Sequence, residues 1–309
     1  MILVTNNEGR PGVGHSAQLL SGGESGLNAL EAGIRIVEID ESIRTVGRGG
    51  WPNLIGEMQL DASVMDGNTL RTGAVGAIQG FLHPVSIARQ VMERLPHELL
   101  VGPGAERFGR EIGAEQGDNL IEDSKRVWNE WFEGVPEELR KNWKDAPLID
   151  LCRQAIDPEA VRDTTTFLCL DSQNGVHGAV STAGWGWKYP GRLGDSPVIG
   201  AGMYADSRYG ACACTGAGEM AIRCGTSRTV VTYMKMGMSV EKAVYEAIED
   251  MRALKGGLLN RITIHAIDNR GQHKVVAVNG TPSNHYWLWE EGDAEPHAVS
   301  AEIVPLSDH

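Results

Sequence analysis

"TTTFLCLD" (residues 164 to 171) and "VHGAVSTAG" (176 to 184) are apolar, β-branched stretches separated only by "SQNG", and this arrangement constrains the chain more than any other feature. An Asn-Gly pair favours the positive φ of a tight hairpin, so the two stretches read as neighbouring antiparallel strands. "RITIHAID" (261 to 268) and "HKVVAVN" (273 to 279), joined by "NRGQ", repeat the pattern. Parallel strands need long crossovers, whereas hairpins need only turns. The expected fold class is α+β, with mostly antiparallel sheets and helices outside them, rather than a doubly wound parallel sheet.

The helices show in the apolar spacing. "SGLNALEAGIRIVEID" (25 to 40) puts Leu27, Leu30, Ile34 and Val37 on one stripe, and "VSIARQVMERL" (85 to 95) starts behind Pro84. Between them, "MQLDASVMDG" (58 to 67) and the small-residue-rich "GAVGAIQGF" read as strands packed tightly against another layer. Further helical segments are expected over 216 to 236 and 240 to 254. From about 115 to 162, charged and aromatic residues replace the alternation. There Trp128, Trp131 and Phe132 stand at i, i+3 and i+4, which predicts a short helix laying an aromatic face on the body, with a surface connector around it.

Charge and cysteine usage narrow the partners. A formal net charge of −13, without a basic stripe, argues against nucleic acid or an anionic membrane as partner, because phosphates need cations. Five cysteines with no C-x-x-C or Cys/His pattern read as buried free thiols of a reducing compartment. "MILVTNNEGRPG" has too short an apolar run for a signal peptide, so a cytoplasmic location is expected. Nucleophile elbow, P-loop, H-E-x-x-H and strand-linked G-x-G-x-x-G motifs are all missing, which leaves metal and nucleotide chemistry without support.

The residues that suggest chemistry lie between Asp163 and Glu219. In "PGRLGDSP", glycines bracket Arg192 and Asp195 and let the backbone project opposite charges into one concavity. Such a pair is either an ion pair on a turn or a clamp for an amino-acid zwitterion, the guanidinium taking a carboxylate and the carboxylate an ammonium. "TGAGE" (215 to 219), at a strand end and helix start, exposes amides suited to an anion or a developing oxyanion, although the motif alone is weak. Strand propensity does not choose among Thr164, Thr165 and Thr166.

The linked order D-T, S-T-x-G, K-x-x-G-R-x-G-D-S-P-x-x-G-A-G-x-Y-A-D and G-A-x-A-x-T-G-x-G-E resembles the β-subunit of the glycosylasparaginase (aspartylglucosaminidase) and plant-type asparaginase family of N-terminal nucleophile hydrolases. "TVGRGGWPN", "LDASVMDG", "GAVGAI", "PVSIARQVME" and "HELLVGPGAERF" extend the resemblance through the first half, leaving out only the connector. It implies a four-layer αββα sandwich that forms one domain and is made as a precursor that cuts itself between Asp163 and Thr164. Residues 1–163 would then form an α-subunit and residues 164–309 a β-subunit.

The resemblance makes Thr164 the nucleophile, and the chemistry is coherent. A hydroxyl needs a nearby base, and a newly exposed α-amino group with a pKa of about 8 supplies one on the same residue. By the same resemblance, Thr182 orients the nucleophile, Arg192 holds the substrate α-carboxylate, Asp195 holds its α-ammonium, and the Thr215 hydroxyl with the Gly216 N–H forms the oxyanion hole. No cofactor or metal is implied. The substrate is a small asparagine-type molecule, with N4-(β-N-acetylglucosaminyl)-L-asparagine first. An isoaspartyl peptidase with L-asparaginase activity, and a non-processing amino-acid-binding relative, are the alternatives. A homodimer of processed αβ units (α2β2) is expected.

Three positions depart from the family pattern. Arg162 stands where a histidine is frequent, and Thr166 where a glycine is. The loop "TNNEGRPG" after the first strand lacks the aromatic residue glycosylasparaginases carry near the substrate, so Trp51, Trp185, Trp187 and Tyr189 become the candidates for lining the mouth.

Overall fold

Side chains alternate across a strand, and here that alternation sorts the apolar residues into separate layers. The computed structural model describes residues 1–141, 143–154 and 164–306. Among these, the strands are β1 (Ile2–Asn6), β2 (Leu60–Asp66), β3 (Arg71–Ile78), β4 (Leu99–Val101), β5 (Thr165–Leu170), β6 (Val176–Thr182), β7 (Met203–Asp206), β8 (Gly210–Gly216), β9 (Ile262–Asp268), β10 (His273–Val278), β11 (His285–Glu290), β12 (His297–Ser300) and β13 (Glu302–Val304). The α-helices are α1 (Arg10–Ser21), α2 (Gly26–Ile39), α3 (Pro84–Arg94), α4 (Gly102–Glu111), α5 (Glu122–Glu133), α6 (Glu137–Arg140), α7 (Ile149–Gln154), α8 (Gly218–Cys224), α9 (Thr226–Lys235) and α10 (Val240–Arg252).

An eight-stranded sheet runs β12-β11-β1-β5-β6-β2-β3-β4, and a five-stranded sheet runs β13-β10-β9-β8-β7. All neighbouring pairs are antiparallel except β3 with β4 and β10 with β13. Leu3, Phe167 and Cys169 face α1 and α2, while Ile2, Val4, Leu168 and Val180 face Met203, Ala211, Ala213 and Ile267 of the other sheet. On the far side of the smaller sheet, Cys212 and Cys214 meet α8 to α10 through Met220, Val230, Val244 and Ile248. The layers are helix, sheet, sheet, helix, the expected four-layer sandwich. All five cysteines are free thiols, with Cys169, Cys212 and Cys214 buried.

Local chemistry sets the helix ends. Ser25 and Ser239 cap α2 and α10 by accepting from the N–H groups of Asn28 (3.4 Å) and Lys242 (3.3 Å). The helical run expected from 216 to 236 is instead broken at Gly225, whose φ of 57° ends α8 and starts α9. The N-terminal apolar run is fully buried as β1 between β11 and β5, strands far from it in sequence. No turn signal links β1 to either partner, so its central place was not readable locally.

The aromatic face of α5 docks as expected. Trp128 stacks on Phe132 with ring centroids 4.8 Å apart, and Trp131 meets Trp187 edge-on at 5.8 Å. Trp51 and Trp187 are both buried in this cluster, 5.6 Å apart, which corrects their expected place at the mouth. Aromatic rings of this size gain more from a core than from a half-exposed rim. Arg162, Asp163 and the end of the connector lie outside the described residues.

Helices α1 and α2 cross at contact distance because neither has a side chain there. A Cβ on Gly12 would sit 2.0 Å from the Gly33 carbonyl oxygen, whereas one on Gly14 would meet nothing within 4 Å. Gly12→Ala is therefore expected to destabilise the fold by about 1–3 kcal/mol through overpacking. Gly14→Ala, on the same helix, should be neutral or stabilising by up to about 1 kcal/mol. Denaturant midpoints of the two variants check this, and equal effects would refute the close crossing.

Candidate active site

The site forms where β5, β6 and β8 end at the gap between the sheets. The β5–β6 register pairs Thr165 with Ser181, so one step further Thr164 stands opposite Thr182. Val176 and Val180 of β6 and Leu168 and Leu170 of β5 point between the sheets, and alternation turns Thr182 and Thr164 the same way. On β8, Ala211 and Ala213 share that face, which carries Thr215 into it as well. All three threonines are buried. The hydroxyls of Thr165 and Thr166 are buried without a hydrogen-bond partner, while Thr164 Oγ1 lies 3.5 Å from Ser196 Oγ.

Support comes from behind the sheet. Ser181 Oγ donates to Glu38 Oε1 (2.7 Å), which also accepts from the Val85 N–H (3.0 Å), and Glu38 Oε2 lies 3.2 Å from His83 Nδ1. Burial raises the Glu38 carboxyl above its ordinary value. Thr182 Oγ1 in turn accepts from the Gly184 N–H (2.9 Å) and donates to the Thr45 carbonyl (3.3 Å), which fixes the strand end at the site.

The segment after β6 brings the charges in. Lys188 is buried and donates from Nζ to the carbonyls of Gln59 (2.7 Å) and Ala183 (2.9 Å), and burial brings its ammonium down to about 8. Trp187, beside it, has φ of 58°, a left-handed conformation that a bulky residue holds only under constraint, here between Trp51 and Trp131. Trp185 lies half-buried under Arg192, whose guanidinium is 4.3 Å from its ring centre, and its indole N–H points to the Gly216 carbonyl at 3.5 Å. Tyr189 alone of the four proposed mouth aromatics is exposed.

Of the two readings of Arg192 and Asp195, the ion pair on a turn is not what forms. Arg192 instead donates from Nε (3.1 Å) and Nη2 (2.9 Å) to Glu219 Oε1, a residue visible in "TGAGE" but given no role by sequence. Asp195 is buried, and its Oδ2 has no hydrogen-bond partner. Burial pushes its carboxyl up to about 7, against the opposing pull of Arg192. Gly218 is pressed against it, since a Cβ there would sit 2.4 Å from Asp195 Oδ1. Gly216 has φ of 107°, and a Cβ on it would lie 2.7 Å from the Arg261 carbonyl, so only glycine fits where the β8 backbone turns into α8.

Thr164, Thr182, Arg192, Asp195, Thr215 and Gly216 thus share one region, tied together through Ser196, Trp185 and Glu219. Asp163, expected on the other side of the scissile bond, lies outside the described residues. Sequence reasoning missed Asn6, whose side-chain amide donates to the Thr164 carbonyl and accepts from the Thr166 N–H (3.1 Å). Among the described residues, no group of three or more acidic, histidine or cysteine side chains is placed to hold a metal ion, and no helix is long and apolar enough to cross a membrane.

Known proteins share this arrangement of sequence. The asparaginase family model matches residues 12–299. The chain is 36% identical over 249 residues to an N(4)-(beta-N-acetylglucosaminyl)-L-asparaginase of Elizabethkingia miricola, covering 81% of this chain and 68% of that one. It is 36% identical to a plant-type L-asparaginase of Pyrococcus abyssi (89% and 86% covered) and 33% identical to an isoaspartyl peptidase/L-asparaginase of Mus musculus (83% and 76%). Two facing sheets between helical layers, with a polar site at the strand ends, are the fold of the N-terminal nucleophile hydrolases, and the protein is an amidohydrolase of that class. The chain belongs to the asparaginase family.

Asp195 makes a testable contribution to stability. Its folded pKa is raised, so between the unfolded value of about 4 and the folded value of about 7 the folded state binds the extra proton. Stability falls as pH rises through that window. Asp195→Asn removes the ionisation, so its stability relative to the native chain should grow by on the order of 1–3 kcal/mol between pH 4 and pH 7 and stay level above. Unfolding midpoints across pH check this, and a constant difference would count against the buried carboxyl.

Proposed function

We propose that the protein is a self-processing threonine amidohydrolase that cleaves the side-chain amide of an asparagine-type substrate, N4-(β-N-acetylglucosaminyl)-L-asparagine first. The observation that carries this is the convergence of Thr164, Thr182 and Thr215 on the inter-sheet face beside Arg192 and Asp195. In this reading the bond between Asp163 and Thr164 is cut, dividing the chain into an α-subunit of residues 1–163 and a β-subunit of residues 164–309. Two such αβ units pair as α2β2.

Thr164 Oγ1 attacks the side-chain carbonyl carbon while its own α-amino group takes the hydroxyl proton. The oxyanion that forms is met by the Thr215 hydroxyl and the Gly216 N–H, groups fixed before the charge appears. Collapse breaks the carbon–nitrogen bond, the leaving amine takes the proton, and a β-aspartyl ester remains on Thr164. Water then attacks that ester and releases aspartate. Thr182 orients the nucleophile. The substrate α-carboxylate meets Arg192, and its α-ammonium meets Asp195, whose unpartnered Oδ2 lacks the donor that an ammonium supplies.

A second reading, an isoaspartyl peptidase with L-asparaginase activity, is favoured by the burial of Trp51 and Trp187 and by the engagement of Trp185 with Arg192. These leave Tyr189 as the exposed aromatic of the four for a sugar ring. Both readings share the clamp and differ in the leaving group. Turnover of glycosyl-asparagine against β-aspartyl dipeptides and L-asparagine decides between them, and a higher kcat/KM for the glycosylated substrate is expected.

For the nucleophile, purified protein is expected to give two bands in a denaturing gel, the smaller beginning at Thr164 by N-terminal sequencing. Thr164→Ala should remain one chain of 33.4 kDa without activity. A single unprocessed band for the native protein, inactive on all three substrates, would instead identify a non-processing binding relative. Wild-type turnover in Thr164→Ala would remove Thr164 from the mechanism.

A further inference from the structure

The stretch "TNNEGRPG", which lacks the aromatic residue expected there, carries a different device. The β1–β5 ladder ends at the pair Thr5–Phe167, and after Asn6 the chain turns away into a short 3-10 helix (Asn7–Gly9). The β1 backbone therefore cannot pair with residues 164 to 166. The Asn6 side chain takes its place. Its Nδ2 donates to the Thr164 carbonyl and its Oδ1 accepts from the Thr166 N–H (3.1 Å), so a carboxamide does the work of one more peptide unit.

The orientation of that amide is not ambiguous. The Thr164 carbonyl only accepts and the Thr166 N–H only donates, and Asn6 Nδ2 also donates to Glu8 Oε2 at 2.7 Å. These two backbone groups set the amide with its donors toward the Thr164 carbonyl, and Glu8 braces it there. Asn6 itself is 2% exposed, so water does not compete for these bonds.

We infer that Asn6, braced by Glu8, is a positioning residue that holds the backbone of Thr164 in register for attack. The inference rests on Thr164 being the nucleophile. Cutting before Thr164 turns it into a chain terminus, and termini fray unless tied down. On the β6 side, the ladder holds its neighbour Thr165 against Ser181, and on the β1 side Asn6 bridges the carbonyl of Thr164 and the N–H of Thr166. Both the hydroxyl and the α-amino group belong to this one residue, so a shift of its backbone misplaces nucleophile and base together. Arg192 and Asp195 sit on another segment and keep their hold on substrate.

The test compares Asn6→Leu, Asn6→Asp and Glu8→Gln with Thr164→Ala and the native protein, on whichever amide substrate the native protein turns over. Asn6→Leu removes both bonds, and Asn6→Asp keeps the acceptor but loses the donor and faces Glu8 with a like charge. Each is expected to lower kcat by roughly 10- to 100-fold with KM unchanged within about threefold, at native secondary structure and with Thr164 at the fragment's N-terminus. Glu8→Gln, which weakens the bond that braces Asn6 Nδ2, should lower kcat by a smaller factor. Processed Asn6 variants with native kcat, or a loss confined to KM, would overturn the inference while an inactive Thr164→Ala upholds the nucleophile. If Asn6→Leu or Asn6→Asp does not fold or process, Glu8→Gln decides, and native kcat there overturns the inference. Native activity in Thr164→Ala would defeat the nucleophile and this inference together.

Discussion

The register of β5 against β6 is the constraint on which the site depends. Side chains alternate strictly, so slipping the Thr165–Ser181 pair by one residue would move one strand's whole set to the opposite face. Thr164 would then turn toward α2 and the apolar core around Phe167, or Thr182 would do so. The register is held by what lies on each side. Phe167 and Cys169 fit among the helices, Leu168 and Leu170 fit between the sheets, and Ser181 is pinned to the buried Glu38. A wrong register would strand that carboxyl and the Ser181 hydroxyl without partners, at a cost of about 1–3 kcal/mol for each group. The alignment of Thr164 with Thr182 is therefore inherited from core packing.

The second constraint is electrostatic. Asp61, Lys188, Arg192, Asp195 and Glu219 bring three carboxyls and two cations into a small region at the sheet ends. Most are satisfied locally. Asp61 accepts from the N–H groups of Ala77 (2.8 Å) and Gly194 (3.4 Å), Lys188 has two carbonyls, and Arg192 has Glu219. Asp195 is left short, with a buried oxygen that no donor reaches among the described residues. An unpartnered buried charge is unfavourable, and the molecule relieves it in part by holding a proton there. A ligand ammonium would relieve it further, in keeping with the proposed clamp for a zwitterion.

Much of this was legible in the sequence, and the remainder has a common cause. The hairpins of β5–β6 and β9–β10 were readable because an Asn-Gly or Arg-Gly turn announces a partner only a few residues away. The stripe of α2 was readable for the same reason, all its evidence being local. What failed depended on distant chain. The central place of β1, the burial of Trp51 and Trp187 under α5, and the bond from Arg192 to Glu219 each join segments that carry no mark of one another. Asn6 is the sharpest case. An asparagine at a strand end is ordinarily a turn residue, and only the approach of residues 164–166 gives its amide another use.

Burial would also reconcile the proposed hydroxyl nucleophile with the proposed carboxylate clamp. Removing a group from water disfavours its charged form, so the same environment raises acids and lowers amines. It brings Asp195 up to about 7 and Lys188 down to about 8. A terminal α-amino group on Thr164, starting near 8, would be lowered in the same direction by the same burial. Near neutral pH, then, a proposed base that must be neutral and a clamp that must be charged both stand close to their midpoints. Raising the pH favours both roles at once, since it frees the amine and ionises Asp195. The two requirements therefore do not compete until the substrate's own ammonium begins to lose its proton, and a single buried region can serve binding and proton transfer without a histidine.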